Sequence, residues 1–288
     1  MSILKPALSI VLPANNEAVS LPRLLTELKT LFTDAEIIVV DDGSTDSTTQ
    51  IAEQAGAHVL RHPYPTGNGA AIKSGARAAR GETLIFMDAD GQHSAEDAQR
   101  LLAKLEQGYD MVVGARDRAS QASFGRNLAN GFYNRLASWI VGHPIADLTS
   151  GFRAVKAAKF REFLYMLPNG FSYPTTITMA FFRAGYHLAY VPIVAHKRTG
   201  KSHIQPFQDG VRFLLIIFRI GTLYSPLKVF LPFSLAFFVT GLGHYLFTLY
   251  TTHRFTNMSA LLFIASILVF LIGLVSEQIT NLLYRPQA

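Results

Sequence analysis

Leu84-Ile85-Phe86-Met87-Asp88-Ala89-Asp90 carries four large apolar residues straight into two aspartates one residue apart. A short, continuous apolar run of this kind reads as a strand buried on both faces, as in a parallel sheet. The pattern occurs twice more upstream. Ile37-Ile38-Val39-Val40 runs into Asp41-Asp42, and Leu8-Ser9-Ile10-Val11-Leu12 runs into Pro13. Helical segments are expected between these strands. Ser20 and Pro22 open one, with Leu24, Leu25, Leu28 and Leu31 on one face. A second starts near Asp46, and a third covers Gly69 to Ala79. A fourth, capped by Ser94, holds Leu101, Leu102 and Leu105 before a further strand at Met111-Val112-Val113. Strand–helix alternation predicts an α/β domain with a mostly parallel sheet and helices on both faces.

Such sheets bind ligands at the carboxyl ends of their strands. Both acidic pairs fall there. In an extended turn, Asp88 and Asp90 reach one side and can share a divalent cation. Oxygen ligands suit Mg²⁺ or Mn²⁺, which bind through one or two carboxylates plus substrate phosphates. One such pair alone reads at least as well as turn or cap aspartates; two pairs in one α/β unit favour chemistry. Gly67-Asn68-Gly69 would let backbone amides approach a phosphate or would form an ordinary tight turn. It lacks the third glycine of a dinucleotide fingerprint and the ending of a P-loop.

The 288 residues carry a net charge of +6 and no cysteine, which excludes disulfides and Cys-based zinc or redox chemistry. Basic charge suits nucleic acid, an anionic membrane surface or a phosphorylated substrate. The basic residues are not interleaved with aromatics along one stripe, which argues against nucleic acid. The first apolar run is too short for a secretory signal. His58, His62, His187 and His196 show no metal-ligand spacing.

The composition changes near Ser225. Pro226 to Tyr250 carries only Lys228, and Met258 to Ile279 only Glu277. Each segment is long enough to cross a hydrocarbon core of roughly 30 Å. The expected organisation is a catalytic domain over 1–204, an amphipathic interfacial helix over 205–224, and two transmembrane helices within 225–288, at about 226–250 and 258–280. Arg212 and Arg219 precede the first span, Lys228 stands at its start, and Arg285 follows the second. The positive-inside rule then puts both termini in the cytoplasm. Two spans per chain make a small bundle that association into a homo-oligomer would complete.

The chain resembles family 2 glycosyltransferases of the GT-A fold, and within them the dolichol- and polyprenyl-phosphate mannose or glucose synthases. The resemblance rests on Pro13-Ala14-Asn15-Asn16-Glu17, Val39-Val40-Asp41-Asp42-Gly43-Ser44, Asp88-Ala89-Asp90-Gly91-Gln92-His93 and Gly114-Ala115-Arg116. It continues through Asp147-Leu148-Thr149-Ser150-Gly151-Phe152-Arg153 and Arg198-Thr199-Gly200-Lys201-Ser202, in the family's order. It implies a GT-A domain, a nucleotide-sugar donor, a polyprenyl phosphate acceptor and Mg²⁺ or Mn²⁺. Pro13, Asn15, Glu17, Val40, Asp41, Asp42 and Ala89 would line the nucleotide-sugar, with Arg198 and Lys201 covering its diphosphate. Asp88, Asp90 and Gln92 would surround the metal. Arg116, Arg126 and Ser150 would meet the acceptor phosphate, and Asp90, Asp147, Arg116 and Arg126 would form the catalytic set.

Two positions depart from the family pattern. Asn15 stands where a tyrosine is frequent, which leaves the base open. His203 stands where a lysine often follows the loop serine. The only tryptophan, Trp139, lies outside the Gln-x-x-Arg-Trp motif of processive relatives, so one sugar per acceptor is expected. A lipid monophosphate is already ionised near pH 7, because its second pKa is about 6. Direct attack on the anomeric carbon then needs no protein base and inverts the configuration. A hydroxyl acceptor would instead need a base, for which Asp147 is the candidate. A non-catalytic scaffold that binds nucleotide-sugars is the reading from a different class.

Overall fold

The computed structural model describes residues 7–116, 124–170, 172–194, 215, 218, 221, 222 and 224–283, with backbone alone at 124–130, 132 and 283. The expected interfacial helix over 205–224 lies almost wholly outside the described residues. The chain forms two compact units, the first comprising 1–135 and 143–207 and the second 136–142 and 208–288.

The first unit is an α/β domain. Strands β1 (Leu8–Ala14), β2 (Glu36–Asp41), β3 (His58–Arg61), β4 (Thr83–Phe86), β5 (Met111–Arg116), β6 (Arg153–Lys156) and β7 (Leu188–Ile193) form one sheet in the order β3-β2-β1-β4-β6-β5-β7. Helices α1 (Leu21–Leu31), α2 (Thr48–Gln54), α3 (Asn68–Ala78), α4 (Ala95–Leu105), α5 (Phe124–Val141, of which residues 136–141 belong to the second unit), α6 (Ala157–Arg161) and α7 (Tyr173–Arg183) lie between the strands. The apolar runs of β1, β2 and β4 are sealed on both faces: Ile10, Val11, Leu12, Ile38, Val39, Val40, Leu84, Ile85 and Phe86 have no exposed surface. The expected leucine face of α1 is the one that packs inward, through Leu21, Leu24, Leu25 and Leu28. Ser94 caps α4 by accepting from the Asp97 N–H at 3.1 Å.

One strand breaks the parallel pattern. β6 runs antiparallel to both neighbours, with Arg153 opposite Phe86 on β4 and Val113 on β5. The loop before β6 therefore opens at the same sheet edge as the loops after β1, β2, β4 and β5. That reversal carries Asp147 and Ser150 to the edge where Asp41, Asp88 and Arg116 emerge.

The second unit contains a helical hairpin, α8 (Pro226–Thr252) and α9 (Asn257–Leu283). Each helix has 27 residues, about 40 Å at 1.5 Å per residue, enough to span a bilayer core. The seam between them repeats every seven residues. Ser234, Gly241 and Thr248 are buried on α8, and Ser259, Ser266, Gly273 and Thr280 on α9. A seven-residue period keeps one narrow stripe of each helix facing its partner. Small residues let the backbones approach: a Cβ on Gly273 would lie 2.8 Å from Phe230 Cβ. Ser234 and Ser266 each donate to the other's carbonyl, at 2.9 and 3.0 Å. The remaining surface is apolar and exposed, including Leu235, Phe247, Leu261 and Ile272. These features make the hairpin a membrane anchor in chemistry and dimensions.

Candidate active site

The ends of β1 and β2 are stitched together by side chains. Asn15 donates to the Asp42 carbonyl at 2.7 Å, the Asn16 N–H donates to Ser44 Oγ at 2.9 Å, and the Glu17 N–H to Thr48 Oγ1 at 2.9 Å. Asp41 has no exposed surface. It accepts from the Ser44 N–H and the Thr49 hydroxyl, ordering the turn into α2. Asp42 accepts from the Thr66 N–H at 2.8 Å, the Gly67 N–H at 2.7 Å and His62 Nδ1 at 2.7 Å. Burial acts to raise its pKa, but these donors outweigh it and hold the carboxyl below its ordinary value. Asp42 thus fixes the approach to α3, and His62, whose Nε2 lies 2.9 Å from Ser74 Oγ, backs it. The side chains of Pro13, Val40 and Ala89 are buried. Asn15 is exposed and Glu17 half-buried, and Glu17 accepts from Ser20, which also donates to the Ala89 carbonyl at 2.7 Å.

Asp88 and Asp90 lie just past the end of β4, after Met87, and are half-buried. Asp88 Oδ1 accepts from Asn68 Nδ2 at 3.1 Å, and Asp90 Oδ1 from the Gln92 N–H at 3.1 Å. Gly151 sits beside them. A Cβ there would lie 3.6 Å from Asp88 Oδ2 and 3.0 Å from Tyr173 Oη. The glycine leaves a cradle next to a carboxylate oxygen, and the donors around it are hard oxygens, which fit a small divalent cation. Among the described residues no three His, Cys, Asp or Glu groups converge to hold a metal. A cation here would therefore complete its shell with ligand or water oxygens, the usual condition for Mg²⁺.

Arg116 ends β5 and meets Asp147 across the edge. Nε donates to Asp147 Oδ2 at 2.8 Å and Nη2 to Oδ1 at 3.1 Å, a bidentate pair. Asp147 also accepts from the N–H groups of Arg116, Thr149 and Ser150. Burial acts to raise its pKa, yet the Arg116 guanidinium and these donors hold it below the ordinary carboxylate value. An occupied carboxylate of low basicity is a poor general base. Arg116 is 32% exposed. Its fork points Nε and Nη2 at Asp147, with Nη2 also donating to Thr149 Oγ1, and among the described residues Nη1 carries the two N–H groups left over. Asp88 adds its field to that of Asp147 on the same guanidinium.

Two polar groups outside the expected set, Arg153 and His93, lie under this edge. Arg153 is completely buried and has no salt-bridge partner among the described residues. It donates to the Ser150 carbonyl and stands 5.8 Å from the Tyr173 ring centre. Burial lowers its pKa, against the fields of Tyr173, Tyr190, Asp147 and Asp88. Ser150 Oγ and Arg153 Nε are buried with no hydrogen-bond partner among the described residues. His93 stacks on Phe152 with ring centres 4.6 Å apart, and burial lowers its pKa to about 4, so it is neutral at pH 7. Asn68 is legible in the sequence only as part of a glycine turn, and Arg153 only as the end of a motif; nothing local marks either as a neighbour of Asp88. Arg126 belongs to the part of α5 described by backbone alone, and Arg198 and Lys201 lie outside the described residues.

Residues 9–164 match the family described as Glycosyl transferase family 2, and residues 225–282 match the GtrB C-terminal hairpin. Glycosyltransferase AglJ of Haloferax volcanii is 29% identical, covering 98% of this chain and 96% of its own length. A dolichyl-phosphate hexose transferase of the same organism is 28% identical over 70% of this chain and 89% of its own. An undecaprenyl-phosphate mannosyltransferase of Micrococcus luteus is 30% identical over 67% of this chain and 85% of its own. Among solved structures, glucosyl-3-phosphoglycerate synthase of Mycobacterium tuberculosis, crystallised with Mn²⁺, UDP-glucose and phosphoglyceric acid, superposes with a TM-score of 0.61. It is 21% identical, covers 74% of this chain and 79% of its own, and shares the fold. The mostly parallel seven-stranded sheet is accordingly a GT-A fold, and the chain, with a C-terminal apolar hairpin, belongs to glycosyl transferase family 2 and is a glycosyltransferase.

Proposed function

We propose that the protein transfers one sugar from a nucleotide-sugar to polyprenyl phosphate at the cytoplasmic membrane face, with inversion. The observation that carries this reading is the Arg116–Asp147 fork. It leaves the Nη1 N–H groups of Arg116 uncommitted among the described residues, in the field of Asp88, and leaves no carboxylate at Asp147 free to act as base. The names of the relatives, transferases of dolichyl and undecaprenyl phosphate, support the acceptor class. The apolar hairpin supports a lipid substrate.

In this reading a phosphate oxygen of the lipid attacks the anomeric carbon. The C–O bond to the sugar forms as the bond to the nucleoside diphosphate breaks, and the diphosphate leaves with the electron pair. No net proton moves, because the attacking oxygen is ionised already. Arg116 grips and orients the acceptor phosphate, with Ser150 at its side and Arg126 as a second cation. Asn15, Glu17 and Asp42 border the nucleoside. Asp41 acts from behind, through the turn it orders. Asp88, Asp90 and Gln92 would hold a divalent cation, which when bound neutralises charge on the diphosphate. Arg198 and Lys201 close over the same group. The acceptor-side geometry disfavours a hydroxyl acceptor, since Asp147 is both paired and of low basicity.

The test is a panel of UDP- and GDP-sugars given to the purified protein in detergent with Mg²⁺ or Mn²⁺ and polyprenyl phosphate. A lipid-linked sugar with matching release of nucleoside diphosphate is expected for one donor. Failure with every donor contradicts the reading.

A further inference from the structure

The turn bearing Asp147 is held from outside by a carboxamide. Asn134, on α5, donates from Nδ2 to the Ala146 carbonyl at 2.8 Å, and its Oδ1 accepts from the Leu148 N–H at 3.1 Å. The two backbone groups belong to the residues immediately before and after Asp147. One planar amide thus grips the chain on either side of the carboxylate, as a neighbouring strand would. No other neutral side chain of this length offers a donor and an acceptor side by side. From inside, the turn is anchored by the Leu148 side chain, which has no exposed surface, and by Thr175 donating to the Leu148 carbonyl. With both sides fixed, Asp147 has little freedom to rotate, and the direction of Arg116 follows from Asp147.

We infer that Asn134 is a positioning residue for the transfer: by pinning Ala146 and Leu148 it sets the angle at which Asp147 aims the Arg116 fork at the acceptor phosphate. Asn134 touches neither substrate. Its effect runs through backbone, carboxylate and guanidinium in turn, and so rests on the reading of Arg116 as the phosphate grip. The donor side is built from other elements, the ends of β1, β2 and β4, and contains no group that Asn134 contacts in these hydrogen bonds. The consequence is asymmetric. Loss of the amide loosens acceptor binding and the attack geometry and spares the donor. A displacement of about 1 Å at a reacting group costs up to roughly 100-fold in rate.

Asn134→Leu removes these two hydrogen bonds, and Asn134→Asp keeps only the acceptor. Two measurements decide. Steady-state kinetics on the full-length protein with polyprenyl phosphate should show the acceptor KM raised about tenfold or kcat lowered by a similar factor, with the donor KM within about twofold. Hydrogen exchange should show the Leu148 amide exposed in Asn134→Leu, and still protected in Asn134→Asp, while the amides of β1 and β4 keep their protection. Equal losses for donor and acceptor, or unchanged exchange at Leu148 in Asn134→Leu, overturn the inference. If the unmodified protein itself transfers nothing to polyprenyl phosphate, the functional reading fails, and the Leu148 exchange rate then decides the clamp alone.

Discussion

Arg116 and Asp147 meet side-on, Nε to Oδ2 at 2.8 Å and Nη2 to Oδ1 at 3.1 Å, although 31 positions separate them in the chain. The antiparallel course of β6 makes the meeting possible, and it decides what each residue can do. Asp147 becomes the orienting group and Arg116 the group with N–H donors still to offer.

Asp147→Asn keeps the shape of the turn and removes the charge that fixes the guanidinium. Transfer is expected to fall about 100-fold, the scale of a misdirected reacting group. The pH profile of the residual activity should keep its shape, because no base has been lost. A vanished acidic limb in the profile of kcat/KM would show that Asp147 takes a proton.

Asp88→Asn alters the oxygen beside the Gly151 cradle. The divalent cation concentration for half-maximal turnover is expected to rise about tenfold or more, as it does when one of few charged ligands is neutralised. A titration with Mg²⁺ and Mn²⁺ checks this. An unchanged midpoint would place the cation elsewhere.

Far from this site, Asp110 is 2% exposed and bridges Lys156 at 2.9 Å, Lys159 at 2.8 Å and the His187 N–H at 3.0 Å. Burial opposes its ionisation, but these donors hold its pKa well below the ordinary value. A carboxyl depressed on folding contributes stability that is complete above the unfolded pKa of about 3.9 and fades as pH falls through the folded one. Melting temperature should therefore drop below about pH 4 more steeply in the natural protein than in Asp110→Asn. The variant itself should lose roughly 2 kcal/mol at pH 7, a value reduced because both lysines are partly exposed. Parallel pH–melting curves for the two proteins would contradict this.

Gly273→Leu forces a side chain into the hairpin seam, where even a Cβ would lie 2.8 Å from Phe230 Cβ. Overpacking of this kind costs about 1–3 kcal/mol. Detergent-solubilised protein should show earlier loss of hairpin protection from proteolysis, whereas Leu261→Ala on the exposed face should not.

Much of this architecture is legible in the sequence, for local reasons. β1, β2 and β4 are continuous apolar runs because both their faces are covered, and α8 and α9 announce themselves by length and apolarity. β3 escapes notice because His58-Val59-Leu60-Arg61 is a half-exposed edge strand with two apolar residues. β6 escapes because it opens on Arg153, a charged residue that the fold buries completely. The site is legible as motifs and illegible as partnerships. Asp41 and Asp42 look alike in sequence, yet one is sealed behind the turn and the other organises the loop before α3. Asn134 carries no motif at all. Its importance arises only where α5 passes the Asp147 turn, a tertiary contact that no spacing encodes.

The most direct measurement compares two acceptors that differ in one group, polyprenyl phosphate and the corresponding polyprenol, with the same donor and cation. Sugar transfer to the phosphate alone, with inversion at the anomeric carbon, is the predicted result. Transfer to the polyprenol at a comparable rate, abolished by Asp147→Asn, would contradict a phosphate acceptor held by Arg116.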